Sequence, residues 1–171
     1  MKKFLVAAVL AGVFAFGATE AQAQVAIGAQ VNYANEMDFG VGVRAGMALP
    51  FTGLSAVASF DYYFPDLDNF TYFELNGNVL YDIPLVGVTG FAPYVGGGLN
   101  IARSKFEWEG VSVPGIVEIP GGSESNTELG LNIVGGANFN LAVIRPFAEL
   151  RYQIHGGDFE NQFVIAAGVT F

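Results

Sequence analysis

Six charged residues, Arg44, Asp61, Glu74, Arg145, Glu149 and Arg151, each stand inside a stretch of apolar and small residues, on the face that the apolar positions leave free. Three guanidinium groups against three carboxylates form a balanced set, and such groups held away from water persist as hydrogen-bonded ion pairs. Arg44 and Asp61 belong to neighbouring segments and stand at similar distances from the short turn between them. They are the pair expected to bond directly, and removing one partner should cost on the order of 3 to 5 kcal/mol if the site is dry. The alternative use of these residues is a narrow gated path for small solutes or ions.

His155 is the only histidine, so acid–base catalysis would need it or carboxylates alone. Gly156 and Gly157 follow it, and the serines at positions 55, 59, 104, 112, 123 and 125 lie far away in sequence. A histidine at the edge of a loop is expected to be solvated, and no catalytic residue is assigned. The chain has no cysteine, which removes disulfides, thiolate metal sites and lipid attachment to a cysteine. No dense set of carboxylates and histidine marks a metal site, and no cofactor is expected.

The segments that must position these charges alternate with a period of two. Residues 25–33 set Val25, Ile27, Ala29, Val31 and Tyr33 against Ala26, Gly28, Gln30 and Asn32. Residues 54–64 set Ala56, Ala58, Phe60, Tyr62 and Phe64 against Ser55, Val57, Ser59, Asp61 and Tyr63. The same pattern runs through residues 39–49, 70–81, 91–105, 128–139, 144–155 and 161–171. A period of two is that of a strand. In every segment one face is nearly free of charge, while the other collects glycines, amides and the six charges. A β-sandwich would have to bury those charges in an apolar core. An eight-stranded barrel turns them inward and offers its apolar face to lipid. The expected fold class is therefore all-β, an eight-stranded antiparallel up-and-down transmembrane β-barrel over residues 24–171. Its interior is just wide enough for side chains to fill, so the six charges should form an ionic plug. The last segment ends on Phe171, and its strand is expected to pair within the same sheet.

Ahead of that region, Met1-Lys2-Lys3 gives a basic start, residues 4–17 are apolar or small, and Ala21-Gln22-Ala23 is a small-x-small site. Fourteen helical residues span about 21 Å, short of a hydrocarbon core of roughly 30 Å. Residues 1–23 are expected to be a cleaved secretory signal peptide. Losing Lys2, Lys3 and Glu20 shifts the net charge from −9 to −10, which argues against a nucleic-acid partner. Hydrophobic residues make up 52% of the chain, yet beyond residue 23 no apolar run approaches the eighteen residues of a membrane helix. They are dispersed by the alternation instead.

The connections differ in length and chemistry. Residues 50–53, 82–90 and 140–143 are fairly short and nearly uncharged, as periplasmic turns are, whereas 34–38, 65–69, 106–127 and 156–160 hold most of the acids. The second group is expected outside the cell, with both termini periplasmic. Residues 106–127 are the best candidate for a surface role. Trp108, Val111, Val113, Ile116, Val117 and Ile119 surround Pro114-Gly115, as in a hairpin extending two strands beyond the membrane. Exposed apolar residues there would meet an extracellular protein or cell-surface partner, or fold over the barrel mouth. Arg103 and Lys105, near the rim, are placed to contact lipopolysaccharide phosphates.

The alternating strands, the export signal, the terminal aromatic and the segments Pro93-Tyr94-Val95-Gly96-Gly97-Gly98 and Pro146-Phe147-Ala148-Glu149-Leu150-Arg151-Tyr152 resemble the small outer-membrane β-barrel family. That family includes the OmpX and Ail type proteins, the OmpA membrane domain and the opacity proteins. The resemblance implies a fold and the bacterial outer membrane as compartment; a monomer surrounded by outer-membrane lipid and lipopolysaccharide is expected. It does not imply a ligand, because members differ in role. The function expected is non-enzymatic, structural or interactive through the surface loops. The alternatives are a lipid A-modifying enzyme and a narrow small-solute channel.

Overall fold

Each alternating segment becomes a strand, and the eight close into one antiparallel barrel. A computed structural model describes residues 25–50, 53–87, 89–113, 117–141 and 143–171. The expected signal segment 1–23 lies outside the described residues, as do Pro114, Gly115 and Ile116. The strands are β1 (Val25–Ala34), β2 (Asp38–Ala48), β3 (Leu54–Tyr63), β4 (Phe70–Asp82), β5 (Phe91–Trp108), β6 (Val111–Val113), β7 (Val117–Ile119), β8 (Gly122–Phe139), β9 (Arg145–His155) and β10 (Gln162–Thr170). The barrel order is β1-β10-β9-β8-β5-β4-β3-β2, and β6 with β7 forms a separate hairpin. Because β1 pairs with both β2 and β10, no barrel strand is left with an unpaired edge. β5 and β8 outrun the alternation in the sequence: their ladder continues past Phe106, the last β5 residue that β4 pairs, to Trp108 opposite Gly122.

The pairing also measures the tilt. Stepping across paired residues from Val25 leads through Met47, Ala56, Val79, Gly97, Ile133, Tyr152 and Phe163. From Phe163 the Asn35 N–H, which donates to its carbonyl, returns the path to the end of β1, ten residues beyond its start. Such a stagger requires the strands to lean, typically by roughly 35–45°. Residues at one height across the lumen are therefore not those that the ladder pairs in succession.

The packing is inverted relative to a water-soluble domain. Among the described residues, sixteen polar or charged side chains are buried against ten apolar ones, while thirty-one large apolar side chains are exposed. The outward face carries two aromatic belts. Tyr33 with Phe39, Tyr62 with Phe64 and Tyr152 with Phe163 form ring pairs at the end bearing the long connections. Phe91 with Phe139 forms one at the short-turn end, where Tyr81 is also exposed. Phe73 and Tyr81 are eight residues apart on β4, roughly 27 Å along a strand and roughly 21 Å vertically at 40° of tilt. That height is close to the apolar band of about 25 Å that a transmembrane barrel presents.

Glycine on the inner face is a packing requirement at Gly42. A Cβ there would lie 2.0 Å from Asp61 Oδ1, whereas one at outward-facing Gly77 would meet nothing within 4 Å. Gly42→Ala should lower the unfolding free energy in micelles by about 1 to 3 kcal/mol, with Gly77→Ala near neutral. Equal effects in urea titrations would contradict this packing.

Candidate functional site

The lumen is filled by a polar network with an apolar cluster near each end. At its centre Asp61 is fully buried and accepts six hydrogen bonds from four strands. Gln30 Nε2 and Asn32 Nδ2 of β1 donate to Oδ1 at 2.6 and 2.7 Å. Ser59 Oγ of β3 and Asn76 Nδ2 of β4, both at 3.0 Å, donate to Oδ2. Arg151 of β9 reaches the same oxygen through Nη1 and Nη2 at 3.1 and 3.2 Å. A carboxylate so supplied is satisfied without water.

Towards the short-turn end, Arg44 Nη1 donates to Glu149 Oε2 at 2.8 Å, with its guanidinium 4.2 Å from the Phe147 ring centroid. The Tyr94 hydroxyl donates to the same oxygen at 2.8 Å, and Arg151 Nε lies 3.3 Å from Glu149 Oε1. The charges thus run Arg44, Glu149, Arg151, Asp61 without a gap. Towards the long-loop end, Glu74 accepts from Tyr72 Oη and Gln162 Nε2 on one oxygen, and from Gln153 Nε2 and Asn76 Nδ2 on the other. Leu80, Tyr94 and Val134, with Val57 against them, close the short-turn end. Ala34, Tyr63, Tyr72, Ala102 and Val164 close the other, covered by Met37, Phe70 and Phe159.

Two expectations about the interior charges are corrected. Arg44 does not bond Asp61: the ladder sets Asp61 opposite Gly42 and Arg44 opposite Ser59, and each charge finds its partner on β9 instead. From Arg44 the paired residues lead through Gly28 and Thr170 to Arg145, and from Asp61 through Gly42, Gln30 and Gly168 to Phe147. The ion pairs form with Glu149 and Arg151, in both cases four residues farther along β9, because the tilt raises the facing wall by that amount. The second correction is Arg145. It stands exposed at the short-turn rim, so the interior holds two guanidinium groups, not three.

The remaining sequence candidates separate. His155 is buried on the inner face, not solvated. Arg103 and Lys105 both face outward and are exposed; Lys105 is paired with Glu107, and Arg103 lies beside Phe73 and Thr127 in the ladder. Trp108 is exposed and stacks on Phe106. Val111, Val113, Val117 and Ile119 form the small β6–β7 hairpin, while Ile116 lies outside the described residues. The amides Gln30, Asn32, Asn76, Asn100, Asn132, Gln153 and Gln162 carry much of the network and were missed as site residues; their signal was their consistent place on the charged face. No group of His, Asp and Glu suited to a metal ion occurs among the described residues.

Arg151→Met should reduce stability by about 3 to 5 kcal/mol by leaving Asp61 without a cation. A double-mutant cycle between Arg44 and Glu149 should give a larger coupling than one between Arg44 and Asp61, read from urea unfolding of the single and double variants.

No protein-family model and no curated protein sequence matches the chain. Solved structures do. The N-terminal β-barrel domain of Pseudomonas aeruginosa OprF superposes with a TM-score of 0.57 at 16% identity, covering 88% of this chain and 100% of that one. Neisserial surface protein A, NspA, superposes with a TM-score of 0.60 at 17% identity, covering 85% and 94%. The outer membrane enzyme PagL superposes with a TM-score of 0.47 at 12% identity, covering 85% and 98%. With its closed order of eight antiparallel strands and inverted packing, the chain has the fold of the small eight-stranded outer-membrane β-barrels.

Proposed function

We propose that the chain is a monomeric integral barrel of the bacterial outer membrane, delivered by a cleaved signal peptide at residues 1–23. Its role is non-enzymatic, structural or interactive, and is carried by the loops at one end. The observation that carries this reading is the asymmetry between a filled lumen and an elaborated long-loop end. That end bears Glu36, Asp66, Asp68, Glu107, Glu109, Glu124, Asp158 and Glu160, while the short connections contribute Ile83, Leu85, Val86, Leu141 and Val143 to the surface. We assign the long loops to the cell exterior and both termini to the periplasm, as an even number of strands requires.

The alternatives draw less support. A lumen filled by side chains bonded to one another opposes a solute path. His155 points into the lumen with both ring nitrogens engaged, which disfavours it as a base acting on membrane lipid. Arg103, outward-facing at the level of the Phe73 and Tyr62 belt, is the side chain best placed to meet an anionic headgroup such as a lipopolysaccharide phosphate. The exposed Trp108 stands at the last pair of the β5–β8 ladder, opposite Gly122, and the β6–β7 hairpin lies in the chain between them, where an extracellular partner would make contact.

Protease treatment of intact cells should cleave between residues 107 and 127, and cleavage only after permeabilisation would overturn the orientation. Deleting residues 107–126 should leave a barrel that still resists denaturation in detergent and abolish the surface phenotype. Planar bilayers containing the purified protein should show no steady conductance.

A further inference from the structure

The connection after β9, residues 156–161, is tied across the long-loop end of the lumen. Glu128 Oε1 accepts from the backbone N–H groups of Asp158 and Phe159 at 2.5 and 3.1 Å, and Glu128 Oε2 accepts from Phe159 at 3.1 Å. The His155 N–H donates to Asn161 Oδ1 at 3.0 Å. The Phe159 ring packs edge-on against Tyr72 and His155, with centroids 6.0 and 5.8 Å away. The last tie is the His155 imidazole. Its Nδ1 lies 2.9 Å from the Glu160 carbonyl oxygen and its Nε2 lies 3.2 Å from Asn100 Oδ1.

Both partners of that ring are acceptors. The carbonyl of Glu160 has no proton to give. The orientation of Asn100 follows from the carboxylates below it. Asn76 Nδ2 faces Asp61 Oδ2 and Glu74 Oε2, which only accept when ionised. Asn76 Oδ1 therefore points away and accepts from Asn100 Nδ2 at 3.0 Å and Asn132 Nδ2 at 2.9 Å. With its amide nitrogen so committed, Asn100 presents its oxygen to His155. A neutral imidazole donates from one nitrogen only, so it leaves one of these contacts as two facing acceptors; an imidazolium satisfies both. A second observation agrees. With Arg145 outside, Arg44 and Arg151 face four buried carboxylates, Asp61, Glu74, Glu128 and Glu149, and a charged His155 narrows that imbalance.

We propose that His155 is a protonation-controlled latch for the 156–161 connection: as imidazolium it clamps the connection to the barrel through Glu160 and Asn100, and as neutral imidazole it releases one of the two. The clamp is therefore complete where the ring carries both protons and loses one contact where it carries one. The titratable and charged groups around the ring are Glu128 on β8, Tyr72 and Glu74 on β4, Arg151 on β9 itself, and Asp158 and Glu160 on the connection; β5 and β10 present Asn100 and Gln162, which do not titrate. The latch does not depend on which end of the barrel faces outward.

Hydrogen exchange of the Asp158 and Phe159 amides in the refolded full-length barrel, corrected for intrinsic rates, tests this between pH 5.5 and 8. Protection should be about tenfold greater at pH 5.5, and His155→Gln should remove that difference. A difference that survives His155→Gln comes from the carboxylates and overturns the latch, as does equal protection at both pH values. Imidazole nitrogen NMR on the unmutated protein provides the check that needs no variant. Both ring nitrogens should be protonated where the loop is protected, and the two changes should share one midpoint; separate midpoints would refute the coupling.

Discussion

A carboxylate that meets no water must be given its donors by the protein, and Asp61 is where this chain meets that demand. Its six donors come from β1, β3, β4 and β9, so the group is satisfied only when strands from opposite walls stand at the right heights. Gly42 of β2 leaves the space in which the carboxylate sits. One interaction therefore tests the closure of the whole sheet: a slip of register on any of these strands would strand a buried charge. The Arg44 and Glu149 pair adds a second bond between β2 and β9 and ties into the first through Arg151.

The filled interior follows from the same geometry. Eight leaning strands leave a space that side chains occupy, and here it is occupied in layers: apolar groups at each end, ion pairs and amides between. The long side chains cross the lumen, and the glycines opposite them on the inner face accept their bulk, as Gly136 does beneath the Tyr94 hydroxyl and Gly168 beside Phe147. The outer face has no such specificity. It needs only to be apolar between two aromatic belts, and Val, Leu, Ile and Phe serve interchangeably there.

Such a scaffold separates the stability of the barrel from the form of its connections. The network locks the barrel, and its groups are committed to one another, which leaves the connections free to vary. The longest of them, between β5 and β8, lies at one end. β5 and β8 project beyond their neighbours, β6 and β7 pair with each other in the chain between them, and the 156–161 connection is tied to Glu128 and His155 instead. The last of these couples the network to the surface, because His155 belongs to both.

Sequence alone determined the strands, their faces and the barrel. A period of two is a local property of the backbone, and charges and amides gathered opposite the apolar positions oppose an apolar core whatever the partners are. It also determined that Asp61, Glu74, Glu149, Arg44 and Arg151 share an interior. It did not determine which of them touch. Judging Arg44 and Asp61 by their distance from a shared turn gives a neighbouring pair, and counting Arg145 by alternation gives an interior residue. The tertiary structure decided otherwise, because closing eight strands with a ten-residue stagger brings Arg44 and Asp61 to partners on β9 four places farther along than the ladder alone would give. Position along a strand is written in the sequence, whereas height across a barrel exists only once the sheet has closed.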